Sequence, residues 1–338
     1  MNTNLWGLGL LLLAGGMNGS FTLPMKFTRR WAWENTWLVY TIFALGLFPP
    51  LLTLATVPAI RAVYAKAGAG PVVMVALFGA GWGISQIFFG LAVEAVGIAL
   101  AFSIILGIAA AVGSLIPLIR LHPERVLTPG GIAVLLGIGL VLAGIAVCAV
   151  AGRQREAALG QRSGSNRSIG KGLLFCLVSG LGSALVNFGV AFGTPLIDAA
   201  RSTETSTLWA PNAVWLPLMW AGGIPNLVYC VYLMRKNNTR DRFGITGTGS
   251  YWVLAAAMAV FWFGSTVMYG AAVVELGDLG AVLAWPLFMS LIVITASIWG
   301  IVTGEWRNTG RQPLRIMSAG VAVLVLAVFV LSAASRWV

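Results

Sequence analysis

Trp82, Ser85, Gln86 and Phe89 fall at i, i+3, i+4 and i+7 within an otherwise apolar stretch, a spacing that puts all four on one face of a helix. Trp262, Ser265, Thr266 and Tyr269 repeat the pattern. Each face pairs aromatic rings with uncharged hydrogen-bonding groups. Rings stack on the apolar faces of sugars, and an amide such as that of Gln86 pairs with hydroxyls as donor and as acceptor. Asn18 and Asn187 add two more amides, with Pro24 and Pro195 a turn or two beyond them. Proline in a helix removes a hydrogen bond and can kink it, which suits a lined pathway. Such a set would bind a neutral polyhydroxylated molecule, with Asn18, Gln86 and Asn187 as polar groups, Trp82, Trp262 and Tyr269 as walls, and Trp285 as a further ring. A fixed anion would be better served by a mid-span Lys or Arg, and an organic cation by a mid-span carboxylate; the apolar stretches offer neither. The competing reading gives the Ser and Thr hydroxyls to their own helix backbones, the tryptophans to the membrane interface, and the prolines a bend without a ligand role. Gln86 resists it, because an unpaired amide in hydrocarbon costs several kcal/mol.

Bond-making chemistry is not indicated. The single histidine, His122, lies in a polar connection, Cys148, Cys176 and Cys230 sit in apolar stretches without a C-x-x-C arrangement, and neither HExxH nor GxSxG occurs. An enzyme would need a nucleophile with a base, paired carboxylates or metal ligands. No cofactor or metal is expected.

The elements that must position these residues follow from composition. Of 338 residues, 59% are apolar and 9% charged, against about 25% charged in soluble proteins, and the mean hydropathy is +0.90. So few charges cannot solvate a globule of this size, so the solvent is lipid. A membrane-crossing helix needs about 20 apolar residues, and ten stretches qualify: 4–25, 36–58, 71–93, 97–119, 130–151, 172–195, 209–234, 250–274, 279–303 and 314–335. Barrel strands alternate apolar and polar residues, whereas 324–331 is apolar all round, so the expected fold is an all-α polytopic bundle. The first stretch lacks a basic leader and a convincing cleavage site, and reads as a retained helix.

The net charge of +11 is distributed by side. Connections after segments 1, 3, 5, 7 and 9, with Arg315 at the start of segment 10 assigned to the last, hold fifteen Lys and Arg, those after 2, 4, 6 and 8 hold five, and Arg336 stands in the tail. The positive-inside rule makes the first set cytoplasmic and both termini external. The charge orients the chain in a membrane and implies no nucleic-acid partner. The connection 152–171, rich in Arg, Gln, Ser and Gly, reads as a flexible cytoplasmic linker between a first five-helix unit, 1–151, and a second, 172–338. Nothing in the sequence sets an oligomeric state.

Shifting the second half by 180 positions aligns Trp82 with Trp262, Ser85 with Ser265, Gly90 with Gly270, Ala92 with Ala272, Val93 with Val273, Gly97 with Gly277 and Ala101 with Ala281. A unit with five crossings enters the membrane from the opposite side in its second copy. The expected architecture is therefore a five-plus-five inverted repeat, a recurring plan of secondary transporters, with substrate near the midplane between the halves.

Three stretches add a resemblance: Arg30-Trp31-Ala32-Trp33-Glu34-Asn35-Thr36-Trp37, Phe78-Gly79-Ala80-Gly81-Trp82-Gly83-Ile84 with Gly90 after it, and Gly304-Glu305-Trp306-Arg307-Asn308-Thr309-Gly310-Arg311-Gln312-Pro313. Together they resemble the L-rhamnose/proton symporter family of the drug/metabolite transporter (DMT) superfamily, over essentially the whole chain. The resemblance implies a ten-helix DMT-like fold in a bacterial inner membrane, and import of a deoxyhexose with a proton. In segment 9, Trp285 and Pro286 stand where the family tends to carry more polar character, which leaves a related sugar or small metabolite as an alternative substrate. A DMT-type exporter of a metabolite or drug remains the alternative function. For coupling, the acids near segment ends are Glu94, Glu275 and Asp278; the competing reading makes each a solvated helix terminus. A reporter fused after Val338 is expected to be active outside the cytoplasm and one inserted near Gly164 inside it, and the reverse pattern would overturn the charge argument.

Overall fold

The computed structural model describes residues 3–160 and 169–334. Ten helices are long and apolar enough to cross a membrane: span 1 Leu5–Phe27, span 2 Trp33–Thr56, span 3 Ala69–Val96, span 4 Ile98–Leu121, span 5 Pro129–Ala158, span 6 Gly170–Arg201, span 7 Asn212–Asn237, span 8 Gly249–Glu275, span 9 Gly280–Val302 and span 10 Arg311–Ala334. Each coincides with one expected segment, and there is no strand among the described residues. The chain is a multi-pass membrane protein. Gly97 and Gly277, aligned by the repeat, turn spans 3 and 8 into spans 4 and 9 at φ of +85° and +78°, a region L side chains avoid.

Two local expectations need correction. The linker placed at 152–171 starts later, because the helix of span 5 continues to Ala158. Its last turn is held by partners: Glu156 accepts the Ala99 N–H at 3.0 Å, and Arg155 donates to the Glu305 carbonyl at 2.9 Å. Residues 161–168 of that linker and Arg336 lie outside the described residues. Pro24 and Pro195 do not kink continuous helices. Each stands in the first turn of a separate short helix, Leu23–Phe27 and Thr194–Arg201, where proline's missing N–H has no intrahelical partner to lose.

The packing is consistent with an inverted repeat. Exchanging each span n for n+5 turns the contact 1–8 into 6–3, 1–9 into 6–4, 3–7 into 8–2 and 4–5 into 9–10, and leaves 5–10, 4–9 and 2–7 unchanged; all of these contacts occur. Spans 3 and 7 approach closely through glycine. A Cβ on Gly79 would lie 2.0 Å from the Leu218 carbonyl oxygen, and one on Gly83 would lie 2.2 Å from that of Gly222. The small-xxx-small spacing thus serves helix packing. Span 2 contains a π-helical turn, Ile42–Leu47, just before Pro49 and Pro50.

Burial differs between the two ends of the bundle. One end carries the connections after odd-numbered spans and hence most of the cations; we call it the basic end. There the core divides. Ala92, Ala101, Ile105 and Cys176 of spans 3, 4 and 6 form their own cluster, and Trp31, Val39 and Ala255 form another. Gln86–Phe89 and Ile292–Thr295 are partly accessible at four consecutive positions each, which in a helix means access from all sides. Toward the far end, Val186–Ala191 and Val282–Leu291 are buried at every position. Spans 3, 4 and 6 therefore part from spans 1, 8 and 9 at the basic end and close on them at the far end. Gly83→Val is expected to lower the melting temperature of the purified protein, at a cost on the order of 1–3 kcal/mol. Gly90→Val, whose Cβ would meet nothing within 4 Å, should leave the melt unchanged.

Candidate substrate site

Trp82 and Trp262 meet face to face, with ring centroids 5.4 Å apart and planes 17° from parallel. In an inverted repeat, equivalent positions that touch lie on the pseudo-two-fold axis, which runs in the membrane plane, and the contact of this pair is consistent with that plan. The rings are stacked on each other rather than set as walls on either side of a gap. Their indole N–H groups have no partner among the described residues.

Around the pair, the expected hydroxyls are occupied locally. Ser85 donates to the Trp82 carbonyl at 2.7 Å, Ser265 to that of Trp262 at 2.6 Å, and Thr266 to that of Phe263 at 2.7 Å. This is the intrahelical pattern available to Ser and Thr, and it follows the competing reading of the sequence. Ser265 also accepts from Asn18 Nδ2 at 2.8 Å, which joins span 1 to span 8. Gln86 is different: half-buried, its Nε2 only reaches Ser85 Oγ at 3.4 Å, and its carbonyl has no partner among the described residues.

Asn187, Tyr269 and Trp285 come together some distance from this centre. Tyr269 lies seven residues past Trp262, roughly 10 Å along the helix toward the far end. Its hydroxyl donates to Asn187 Oδ1, while Asn187 Nδ2 donates to the carbonyls of Gly113 at 2.7 Å and Ala281 at 3.1 Å. One buried amide thus ties spans 4, 6, 8 and 9. Trp285 adds a bond from Nε1 to the Ala109 carbonyl at 2.8 Å and packs edge-on against Tyr269 at 5.6 Å. The cluster is saturated and tightly packed. It is a clamp across the far half of the bundle.

Glu94 and Asp278 are exposed and Glu275 is half-buried; none makes a hydrogen bond or ion pair among the described residues, and the fold does not bring them to the tryptophan pair. Sequence reasoning passed over Glu34, the only buried acid among the described residues, at 5% exposure. It accepts from Thr239 Oγ1 at 2.7 Å and Asn237 Nδ2 at 3.0 Å, while Asn35 Nδ2 donates to the Thr239 carbonyl at 3.0 Å. Glu305, from another stretch carrying the resemblance, pairs with Lys26 and with Arg155 at 3.3 Å. Both motifs therefore dock connections at the basic end. Also missed were Trp33, Trp37 and Tyr40, which lead from that end to Trp262; their i, i+4, i+7 spacing was the signal that could have found them.

Two interlocked five-span groups around an uncharged aromatic centre make the scaffold of a membrane carrier. The chain belongs to the L-rhamnose-proton symport protein (RhaT) family, whose profile it matches over residues 2–335. Proteins named L-rhamnose-proton symporter are similar to it from end to end. The one from Mannheimia succiniciproducens is 28% identical, with 91% of each chain covered. One from Klebsiella pneumoniae is 28% identical and one from Salmonella paratyphi A 27% identical, each with 94% of both chains covered.

Asn187→Ala is expected to strand the Gly113 carbonyl and the Tyr269 hydroxyl in an apolar interior, at a cost of about 1–3 kcal/mol for each unsatisfied group. Thermal unfolding in detergent should show a clear drop in melting temperature. Gln86→Ala, which removes no good hydrogen bond, should melt like the wild type.

Proposed function

We propose that the chain is a secondary transporter of a bacterial inner membrane that imports L-rhamnose, or a neutral deoxyhexose close to it, together with a proton. The observation that carries this reading is the Trp82–Trp262 pair on the pseudo-two-fold axis, beside the unclaimed amide of Gln86, in a chain of the L-rhamnose-proton symport family. Ring faces and an amide without a competing internal partner are what a neutral sugar needs. No group there would neutralise a charged substrate. The relatives are named as symporters, which favours import over the exporter alternative and over catalysis.

With the basic end in the cytoplasm, the parted helices face inward and the Asn187–Tyr269–Trp285 clamp seals the outer half. Alternating access then requires the clamp to open while spans 3, 4 and 6 close on spans 1, 8 and 9 at the cytoplasmic side. Sugar bound at the centre stacks on a tryptophan face and takes hydrogen bonds from Gln86, with Asn18 next to it through Ser265. Proton coupling falls to a carboxylate near a span end: Glu94 at the cytoplasmic side, Glu275 or Asp278 at the outer side, or the buried Glu34. Proton gain or loss by Glu34 alters the bonds that hold the first connection to the seventh.

In proteoliposomes with an imposed inward proton gradient, L-rhamnose should accumulate above its external concentration, and a protonophore should abolish the accumulation. Gln86→Ala should raise the apparent substrate constant by one to two decades, about 1.4 to 3 kcal/mol, with expression unchanged. Replacing the coupling acid by its amide should abolish accumulation while preserving sugar exchange. If Glu34→Gln, Glu94→Gln, Glu275→Gln and Asp278→Asn all still concentrate the sugar, carboxylate coupling at these positions is wrong.

A further inference from the structure

We propose that a second, weaker sugar subsite extends from the tryptophan pair to the basic end along Tyr40, Phe21, Trp37 and Trp33, and that sugar leaves the centre by moving along it. The inference rests on the sugar-transport reading above and adds to it a place where the substrate binds outside the centre.

The rings form a continuous series. Trp262 meets Tyr40 edge-on at 6.1 Å, Tyr40 lies 4.8 Å from Trp37 and 5.9 Å from Phe21, and Trp37 is stacked with Trp33 at 5.0 Å and 17°. From Tyr40 to Trp33 is seven residues, about two helical turns or roughly 10 Å, so the series covers the distance from the core to the membrane edge. Accessibility grows along it: Tyr40 is 3% exposed and Trp33 43%, with Trp37 and Phe21 between them.

Ring stacking by itself would serve packing as well as binding. The polar ends of these rings bear on the choice. Buried or packed aromatic donors elsewhere are in several cases spent within the protein: Trp220 on the Gly46 carbonyl at 3.0 Å, Trp285 on that of Ala109, Trp299 on Ser20 Oγ at 2.7 Å, Tyr64 on the Ala213 carbonyl at 3.0 Å and Tyr269 on Asn187. Trp31 and Trp215 are unpaired but have no access to solvent. The Tyr40 hydroxyl and the N–H groups of Trp37, Trp82 and Trp262 also lack partners among the described residues, yet they are not sealed off. A line of ring faces with unspent donors beside them suits a molecule with apolar faces and hydroxyl edges, and a weak affinity at each ring allows passage. On the far side the series has no counterpart: the positions that the shift of 180 aligns with Trp33, Trp37 and Tyr40 are Ala213, Pro217 and Trp220, and the Trp220 N–H is spent on the Gly46 carbonyl.

The test is to label the full-length protein in lipid nanodiscs with 5-fluorotryptophan, assign resonances by single Trp→Phe variants, and titrate L-rhamnose. The Trp82 and Trp262 signals should move first, and those of Trp33 and Trp37 at about tenfold higher sugar. If the central signals move while Trp33 and Trp37 respond only to a change of lipid headgroup, the series is a membrane-interface anchor and the subsite is wrong. If no tryptophan signal moves, the central site fails and the sugar reading with it. In a second measurement, Trp33→Ala/Trp37→Ala should raise the KM for sugar presented from the basic end by about tenfold and leave the KM from the far end unchanged. An equal loss from both ends would mark a folding defect and overturn the proposal.

Discussion

A backbone carbonyl released inside hydrocarbon must find another donor, because no water is there to supply one. Proline releases such carbonyls, and this protein spends them on joining its halves. The Gly46 carbonyl, which the residue at Pro50 cannot claim, takes the Trp220 indole. Pro117 frees Gly113 for Asn187, and Pro217 frees Ala213 for the Tyr64 hydroxyl. In each case the carbonyl and its donor belong to different five-span groups. Each bond therefore does two jobs: it satisfies a broken helix and it fixes how one group sits on the other.

Bonds of this sort are strong where water is excluded and weak where it enters. The clamp around Asn187 is buried, so it holds the far half closed as a unit. Opening that half would hydrate its groups together, including the indole of Trp215, which is buried without a partner and would gain a hydrogen bond from water. At the basic end the ties are ionic or lie in connections, as in Lys26–Glu305–Arg155, where water already screens them.

The spans were legible because length and hydropathy alone set them, and the recurrence of tryptophan and serine at one offset pointed to a repeat with which the packing is consistent. Which polar groups would be free was not legible. Sequence places Ser85, Gln86, Ser265 and Thr266 on faces, but a hydroxyl on a helix can turn back to its own i−3 carbonyl, and three of the four do. Gln86 has too long a side chain to close that ring as well. The role of Glu34 was hidden for another reason. It stands among tryptophans at a boundary that sequence read as a connection, while its partners Asn237 and Thr239 are about two hundred positions away and only the pairing of spans 2 and 7 brings them near. Trp37 and Tyr40 lay at the start of a stretch read only for its apolar length, so their common face went unread.

Asn18 and Asn187 both stand in the first span of a half, but 169 positions apart rather than 180, and their partners differ. Asn187 bonds to three spans and seals the far side; Asn18 bonds to Ser265 alone, beside the parted helices. The far side is thus held by several bonds on one amide and the basic side by fewer. A carrier cannot keep one closed state much deeper than the other, because that would trap the protein on one side of the membrane. Closure at the basic side must therefore draw on polar groups that this arrangement leaves without partners, the Gln86 amide among them.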